Sequence, residues 1–287
     1  MTFQTKATIV HGAGISAQPH RTPEIVTPSQ RRLTIRDLIP VVTTNGNSVE
    51  YTREDSFTNT AAPVAEGGIK PESSLVFCLQ TAQVRTLAHC IPASKQILDD
   101  APGLAAHIDR RLTYGLKLVE EKQLLAGDGT GQNLLGIIPQ AVAYNVALNV
   151  AGDTRIDRIR HAIYQLETTD NYPNGIVLNP MDWQAIELVK TTGTASSGQY
   201  ILEGPLGNGD PRIWRLPIII SNALASGTFL VGDFQNAAVI HNRQEATIEV
   251  SNSHSDFFTR NLIAVRGEER IALAVHRPAG FVTGSFA

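Results

Sequence analysis

The chain has 287 residues, enough for one large or two smaller domains around a substantial core. Its formal net charge of −3 is spread without blocks, so no basic stripe points to nucleic acid and no polybasic run to a membrane surface. No apolar run approaches the ~20 residues that span a bilayer, and two cysteines without CxxC spacing make no disulfide framework.

The first twenty residues lack a basic start followed by an apolar stretch, which predicts a protein made and kept in the cytosol, with Cys78 and Cys90 reduced and half-buried in strands. Residues 1–30 carry Pro19, Pro23 and Pro28 without apolar period and read as an extended arm. Ordered structure begins in RRLTIRDLIP at 31–40. Val49, Tyr51 and Arg53 then alternate with Ser48, Glu50 and Thr52, and a second alternating run goes from Ser74 to Ala88. The polar, glycine-containing stretch between them makes a long hairpin over 47–82. A lone two-stranded ribbon is marginal in water, so it must rest either on another copy or on its own domain.

Asp99, Asp100 and Pro102 mark the start of a long helix, where carboxylates face unpaired N–H groups and proline costs no hydrogen bond. Its apolar positions are Leu104, Ile108, Leu112, Gly115, Leu116 and Val119, and Gly127 supplies a left-handed stop. The pairs Asp99-Asp100 and Glu120-Glu121 read as solvated caps or helix surface. Asp153 or Thr154 caps a second helix whose Ile156, Ile159, Ile163 and Leu166 share one face. GIVLNP at 175–180 reads as a buried strand, after which Asn179-Pro180 starts a third helix reaching Lys190. Residues 191–211 form a surface excursion, and strands resume in TIEV and IALAVHRP. The fold class is α+β without a regular βαβ repeat.

Gly127-Asp128-Gly129-Thr130-Gly131 raises the question of a phosphate loop. No lysine follows Gly131, Leu134 stands where GxGxxG needs glycine, and the glycines leave a helix instead of opening one. A helix cap with a tight turn is the better reading. The eight histidines form no HxxxH, HExxH or Cys-His cluster and no GxSxG elbow occurs, so neither a metal nor a cofactor is expected, and a serine hydrolase is not supported.

Several stretches, taken in order, resemble the major capsid proteins of tailed bacteriophages of the Hong Kong 97-like type. They are RRLTIRDLIP at 31–40, VEYTRE at 49–54 with FTN at 57–59, AEGGIKPESS at 65–74, ILDDAPGL at 97–104, LLAGDGTGQNLLGI at 124–137, GDTR at 152–155 with HAIYQ at 161–165, GIVLNP at 175–180 and GEERIALAVHRP at 267–278. The resemblance implies an N-terminal arm at 1–32 and a peripheral domain from 33–46, 83–137 and 241–287 built around a spine helix. It also implies an extended β-hairpin loop at 47–82 lying on a neighbouring subunit and an axial domain at 138–240. Function follows as an expectation: a structural, non-enzymatic protein that forms pentamers and hexamers in an icosahedral head. The implied partners are other copies, a scaffolding protein, a portal, a maturation protease and weakly held DNA without sequence specificity, with assembly in the host bacterial cytoplasm. Members of the type often carry about a hundred scaffolding residues ahead of the capsid portion. None is seen here, so the scaffold is either a separate protein, which Met1 favours, or a removed segment. An encapsulin-like compartment shell is the alternative function on the same fold, and an enzyme using the glycine loop the third.

Some members of the resembling family join a loop lysine to an asparagine of a neighbour with the help of a glutamate. The matching positions are Lys70 in GGIKPE, Asn261 in RNL and Glu268 in GEER. A lysine is neutral only about once in two thousand at pH 7, so such an isopeptide needs a base in a dry site. If 261–268 is a strand, Asn261 and Glu268 stand roughly 23 Å apart and cannot serve one bond from one subunit. Arg266 lies on the same strand face as Glu268 and would hold its carboxylate ionised.

Overall fold

The computed structural model describes residues 28–32, 35–96, 102–191, 198–202, 211–253 and 256–286. The arm at 1–27, the Asp99-Asp100 cap and most of 191–211 fall outside them.

A single helix runs from Pro102 to Ala126. Its buried stripe is Leu112, Leu116, Glu120 and Leu124, one residue every four, with Glu121 and Leu125 alongside. Val119, expected on that stripe, is exposed. Glu120 and Glu121, expected on the solvated side, are 2 % and 4 % exposed. They take apolar positions because arginines from elsewhere in the chain meet them. Gly127 ends the helix but not as a left-handed stop: it lies outside the positive-φ set, and its N–H continues the helical pattern to Gln123 O at 3.1 Å. Glycine is needed there for space, since a Cβ would sit 2.3 Å from the Leu134 carbonyl oxygen. The left-handed residues are Gly129 and Gly131.

The long helix packs on a four-stranded sheet. Its members are β1 (Val41–Thr43), β10 (Ala238–Ser251), β11 (Leu262–Val275) and β4 (Arg85–Ser94), in that order. β10 and β11 are antiparallel over most of their 14 residues each, giving a tall, twisted backing. Leu87, Leu116, Leu124, Leu125, Ile240, Ile271 and Leu273 fill the space between helix and sheet, joined by Ile35 and Ile39 from the short helix Ile35–Leu38 and its exit.

A second sheet has six strands in the order β5-β12-β9-β6-β8-β7. These are β5 (Val142–Ala143), β12 (Phe281–Ser285), β9 (Thr228–Gly232), β6 (Gly175–Leu178), β8 (Leu216–Ile220) and β7 (Arg212–Ile213). β6 is GIVL, buried at every position, as expected of a central strand. The helix Arg155–Glu167 covers this sheet with Ile159, Ala162, Ile163 and Leu166. Its start is a capping box in which Thr154 accepts from the Asp157 N–H and Asp157 accepts from the Thr154 N–H at 2.9 Å. The next helix is capped by Asn179 as expected but ends at Glu187, short of Lys190. β12 belongs to this sheet, so strand pairing separates residues 281–285 from the rest of segment 241–287.

The third sheet is the ribbon, β2 (Ser48–Thr58) with β3 (Ser74–Gln83). The alternating run expected to reach Ala88 breaks at Val84: β3 stays in the ribbon while β4 enters the four-stranded sheet. Cys78 is half-buried, whereas Cys90, expected to be so, is exposed on β4.

Candidate functional site

Among the described residues, the ribbon's hydrogen bonds to the rest of the chain lie at its base, and Thr52–Phe57 border a cleft shared with Asn171 and His276–Ala279. Tyr51 donates its hydroxyl to Val275 O at 3.2 Å and sets its ring 4.8 Å from that of His276, while Asn47 accepts from Arg270 at 3.4 Å and from the Val84 N–H. Beyond this seat the strands project with opposite residues on one face. Leu79 lies across from Thr52, Phe77 from Glu54 and Leu75 from Phe57. Asp55 is an extra, unpaired residue between Glu54 and Ser56. That β-bulge reverses the alternation, so Phe57 joins the face of Leu75, Phe77 and Leu79 instead of the opposite one. The four are 57 %, 54 %, 60 % and 65 % exposed. Such a contiguous apolar face in water marks a binding surface. Its alternation was visible in the sequence; the bulge that completes it was not.

At the ribbon's tip, Gly67 takes φ +80° and the Gly68 N–H returns to Ala65 O at 3.0 Å. Lys70 follows, exposed, beside Ile69 at 97 % exposure. Asn261 stands at the end of the turn before β11, exposed, with φ +52°, a left-handed backbone that asparagine tolerates better than most residues. Its carbonyl accepts from the Lys95 N–H at 2.9 Å. Glu268 lies within β11, half-buried, paired across the sheet with Thr247 and Ala88. Because β11 is continuous from Leu262, the seven residues from Asn261 to Glu268 are extended and hold the two roughly 23 Å apart. One subunit therefore does not bring Lys70, Asn261 and Glu268 together. Arg266 reaches Glu249 at 2.6 Å and Glu268 at 3.5 Å, the close cation that a spacing of two predicts.

Most of the described N–H groups of the glycine turn are already taken within the loop. The N–H groups of Gly129 and Gly136 go to Leu134 O and Gly127 O, that of Asn133 to Thr130 O and that of Leu134 to the Gln123 side chain. The Thr130 N–H, the Thr130 hydroxyl and the Asn133 amide all donate to the Asp128 carboxylate, at 3.0, 2.7 and 2.7 Å. These bonds hold that carboxyl down to about 2, the Thr130 side chain contributing most. The loop already surrounds an anion of its own.

A cluster that the sequence reading missed joins three elements. Arg36, from the short helix, donates from one nitrogen to both Glu120 and Glu269, the latter at 2.9 Å. Arg31 pairs with Glu121 at 2.7 Å, and its N–H donates to the Tyr114 hydroxyl at 3.0 Å. The signal available in sequence was a glutamate at a position where the four-residue stripe demands leucine. Among the described residues no group of three His, Cys, Asp or Glu is arranged to hold a metal, and no helix is long and apolar enough to cross a membrane.

Residues 13–286 match the phage capsid family. The chain is 48 % identical over 274 residues to the major capsid protein of Enterobacteria phage HK97, covering 96 % of this chain and 70 % of that protein. The chain belongs to the phage capsid family. Solved capsids share its fold: the capsid of an empty GTA particle superposes with a TM-score of 0.78 at 18 % identity, over 99 % of this chain and all of that one. A structure from Microbacterium phage Oxtober96 gives 0.74 at 12 % identity over 93 % and 95 %. The α+β capsid fold expected from the resemblance is thus the fold observed, and this capsid protein is a structural component of the virion that works by association with further copies. These matches favour a phage capsid over an encapsulin-like shell.

Proposed function

We propose that this capsid protein assembles through pentamers and hexamers into an icosahedral head around a DNA genome, in the cytoplasm of its bacterial host. The observation that carries the mode of assembly is the ribbon, which exposes Phe57, Leu75, Phe77 and Leu79 on one face. The surface that covers this face belongs to a neighbouring subunit. In the same reading, 47–82 is the extended loop, 33–46, 83–137 and 241–280 the peripheral domain, and 138–240 with 281–286 the axial domain; the pairing of β12 with β9 supports moving the last segment. Residues 1–32 act as the arm. A scaffolding protein, a portal and a maturation protease are the partners such a head needs. Contact with DNA is weak and without sequence specificity, in keeping with a net charge of −3.

The second part of the reading is a covalent bond between copies. Lys70 Nζ attacks the Asn261 side-chain carbon, a C–N amide bond forms, the bond to the Asn261 amide nitrogen breaks, and ammonia leaves. Glu268 takes the amine's proton and passes it to the departing nitrogen. The separation of Asn261 from Glu268 within one strand supports a site built from two or three subunits, so that the bond forms only in a closed shell. Arg266, 2.6 Å from Glu249 and 3.5 Å from Glu268, stands beside the carboxylate that the lysine amine must reach.

Deleting residues 58–72 leaves the subunit folded and abolishes normal particles; normal particles from that variant would contradict assembly through the ribbon. For the covalent step, mature particles boiled in detergent give a ladder or unenterable material on a denaturing gel, lost in Lys70→Ala, Asn261→Ala and Glu268→Ala. A single band near 31.0 kDa from wild-type mature particles would refute the bond.

A further inference from the structure

We propose that Arg36, Glu120 and Glu269 form a proton-coupled latch that fixes the root of the N-terminal segment to the long helix and the four-stranded sheet. Charge counting and geometry carry the proposal. Glu120 and Glu269 are each 2 % exposed, and both accept from the same Arg36 nitrogen. Two hydrogen-bond lengths from one atom place the two carboxylate oxygens within roughly 6 Å of each other. One guanidinium faces two buried carboxylates, so the cluster holds an uncompensated negative charge unless one acid takes up a proton.

The surroundings do little to cancel that charge. From the long helix, Lys117 acts on both acids but its side chain is on the exposed side. From β10, Glu245 adds negative charge at Glu269. Arg31 is engaged with Glu121 one residue along the helix. Oε2 of Glu269 is buried without a hydrogen-bond partner among the described residues, so hydrogen bonds do not stabilise its full ionisation. Burial foremost, then the charge of Glu269, pushes Glu120 up to about 7 against the pull of Arg36. Burial likewise raises Glu269 above the ordinary carboxylate range.

The sign follows from linkage. With the latch open, Glu120 meets water and titrates as an ordinary carboxylate; with the latch closed it holds its proton to higher pH. The closed form is therefore tightest in acid, loosens as pH rises from the ordinary carboxylate range toward 7, and changes little above it. Arg36 lies between Ile35 and Ile39, both buried in the core, so opening withdraws Ile35 and exposes backbone that hydrogen exchange reads directly.

Hydrogen exchange of residues 31–40 in the purified protein, followed by mass spectrometry and corrected for intrinsic amide chemistry, tests the latch. The wild-type opening ratio rises roughly tenfold or more between pH 5.5 and 7.5 and levels off by pH 8.5. Glu120→Gln keeps the shape, carries no titrating group at that position and reduces the slope to what Glu269 alone supplies; Glu269→Gln, which likewise leaves one acid for one arginine, also reduces it. A flat wild-type profile overturns the proposal whatever the variants do. So does a Glu120→Gln protein that folds and keeps the wild-type slope.

Discussion

Replacing Phe77 by threonine removes the centre of the ribbon's apolar face while putting a β-branched residue suited to a strand in its place. Phe77 is 60 % exposed in the isolated subunit. Full burial of a phenylalanine is worth about 1.5–3 kcal/mol, so the part still in water holds about 1.5 kcal/mol that only a neighbour can realise, and the part already covered about 1 kcal/mol. The substitution therefore costs the fold about 1 kcal/mol or less and each intersubunit contact about 1.5 kcal/mol, close to tenfold in association. A shell repeats the loss at every subunit. Urea unfolding of the unassembled protein gives the first quantity, and the threshold concentration for particles, read by sedimentation, gives the second. The expected result is a nearly unchanged unfolding midpoint with a threshold raised at least tenfold. Wild-type assembly, or a fold weakened by several kcal/mol, would show that the face packs on its own chain.

Leu124→Ala, at a position with no exposure, does the opposite: about 2–5 kcal/mol lost in urea unfolding, with assembly failing only through instability. Gly127→Ala forces a methyl against the Leu134 carbonyl oxygen, 2.3 Å away, and costs more than about 2 kcal/mol by the same assay. Thr154→Ala removes half of a capping box and lowers stability by about 1 kcal/mol at pH 7. In the wild type, hydrogen bonds from the Thr154 side chain and backbone depress Asp157, so its contribution is present at neutral pH and fades as pH falls below the ordinary carboxylate range through that lowered value; the Thr154→Ala penalty should shrink over the same acid range.

The ribbon and the caps were readable because their signals are local. Alternation in 48–54 and 74–83, glycines at the tip, and Thr154 three residues before Asp157 need no knowledge of the rest of the chain. Glu120 and Glu121 were misread because burying a charge depends on a partner, and Arg36 stands 84 residues from Glu120. The break at Val84 escaped because period-two alternation continues through it while the strand changes sheets. Gly127 looked like a left-handed stop, since sequence does not distinguish a glycine chosen for backbone angle from one chosen for space. Lys70, Asn261 and Glu268 came from family resemblance alone; no spacing in one chain joins residues that only a neighbour could bring together.

Electron cryomicroscopy of particles assembled from the purified protein tests the central claim most directly. The account predicts closed icosahedral shells of pentamers and hexamers in which Phe57, Leu75, Phe77 and Leu79 of each ribbon are covered by an adjacent subunit. A protein that stays monomeric under conditions that keep it folded, or shells in which that face remains in water or folds onto its own subunit, would contradict it.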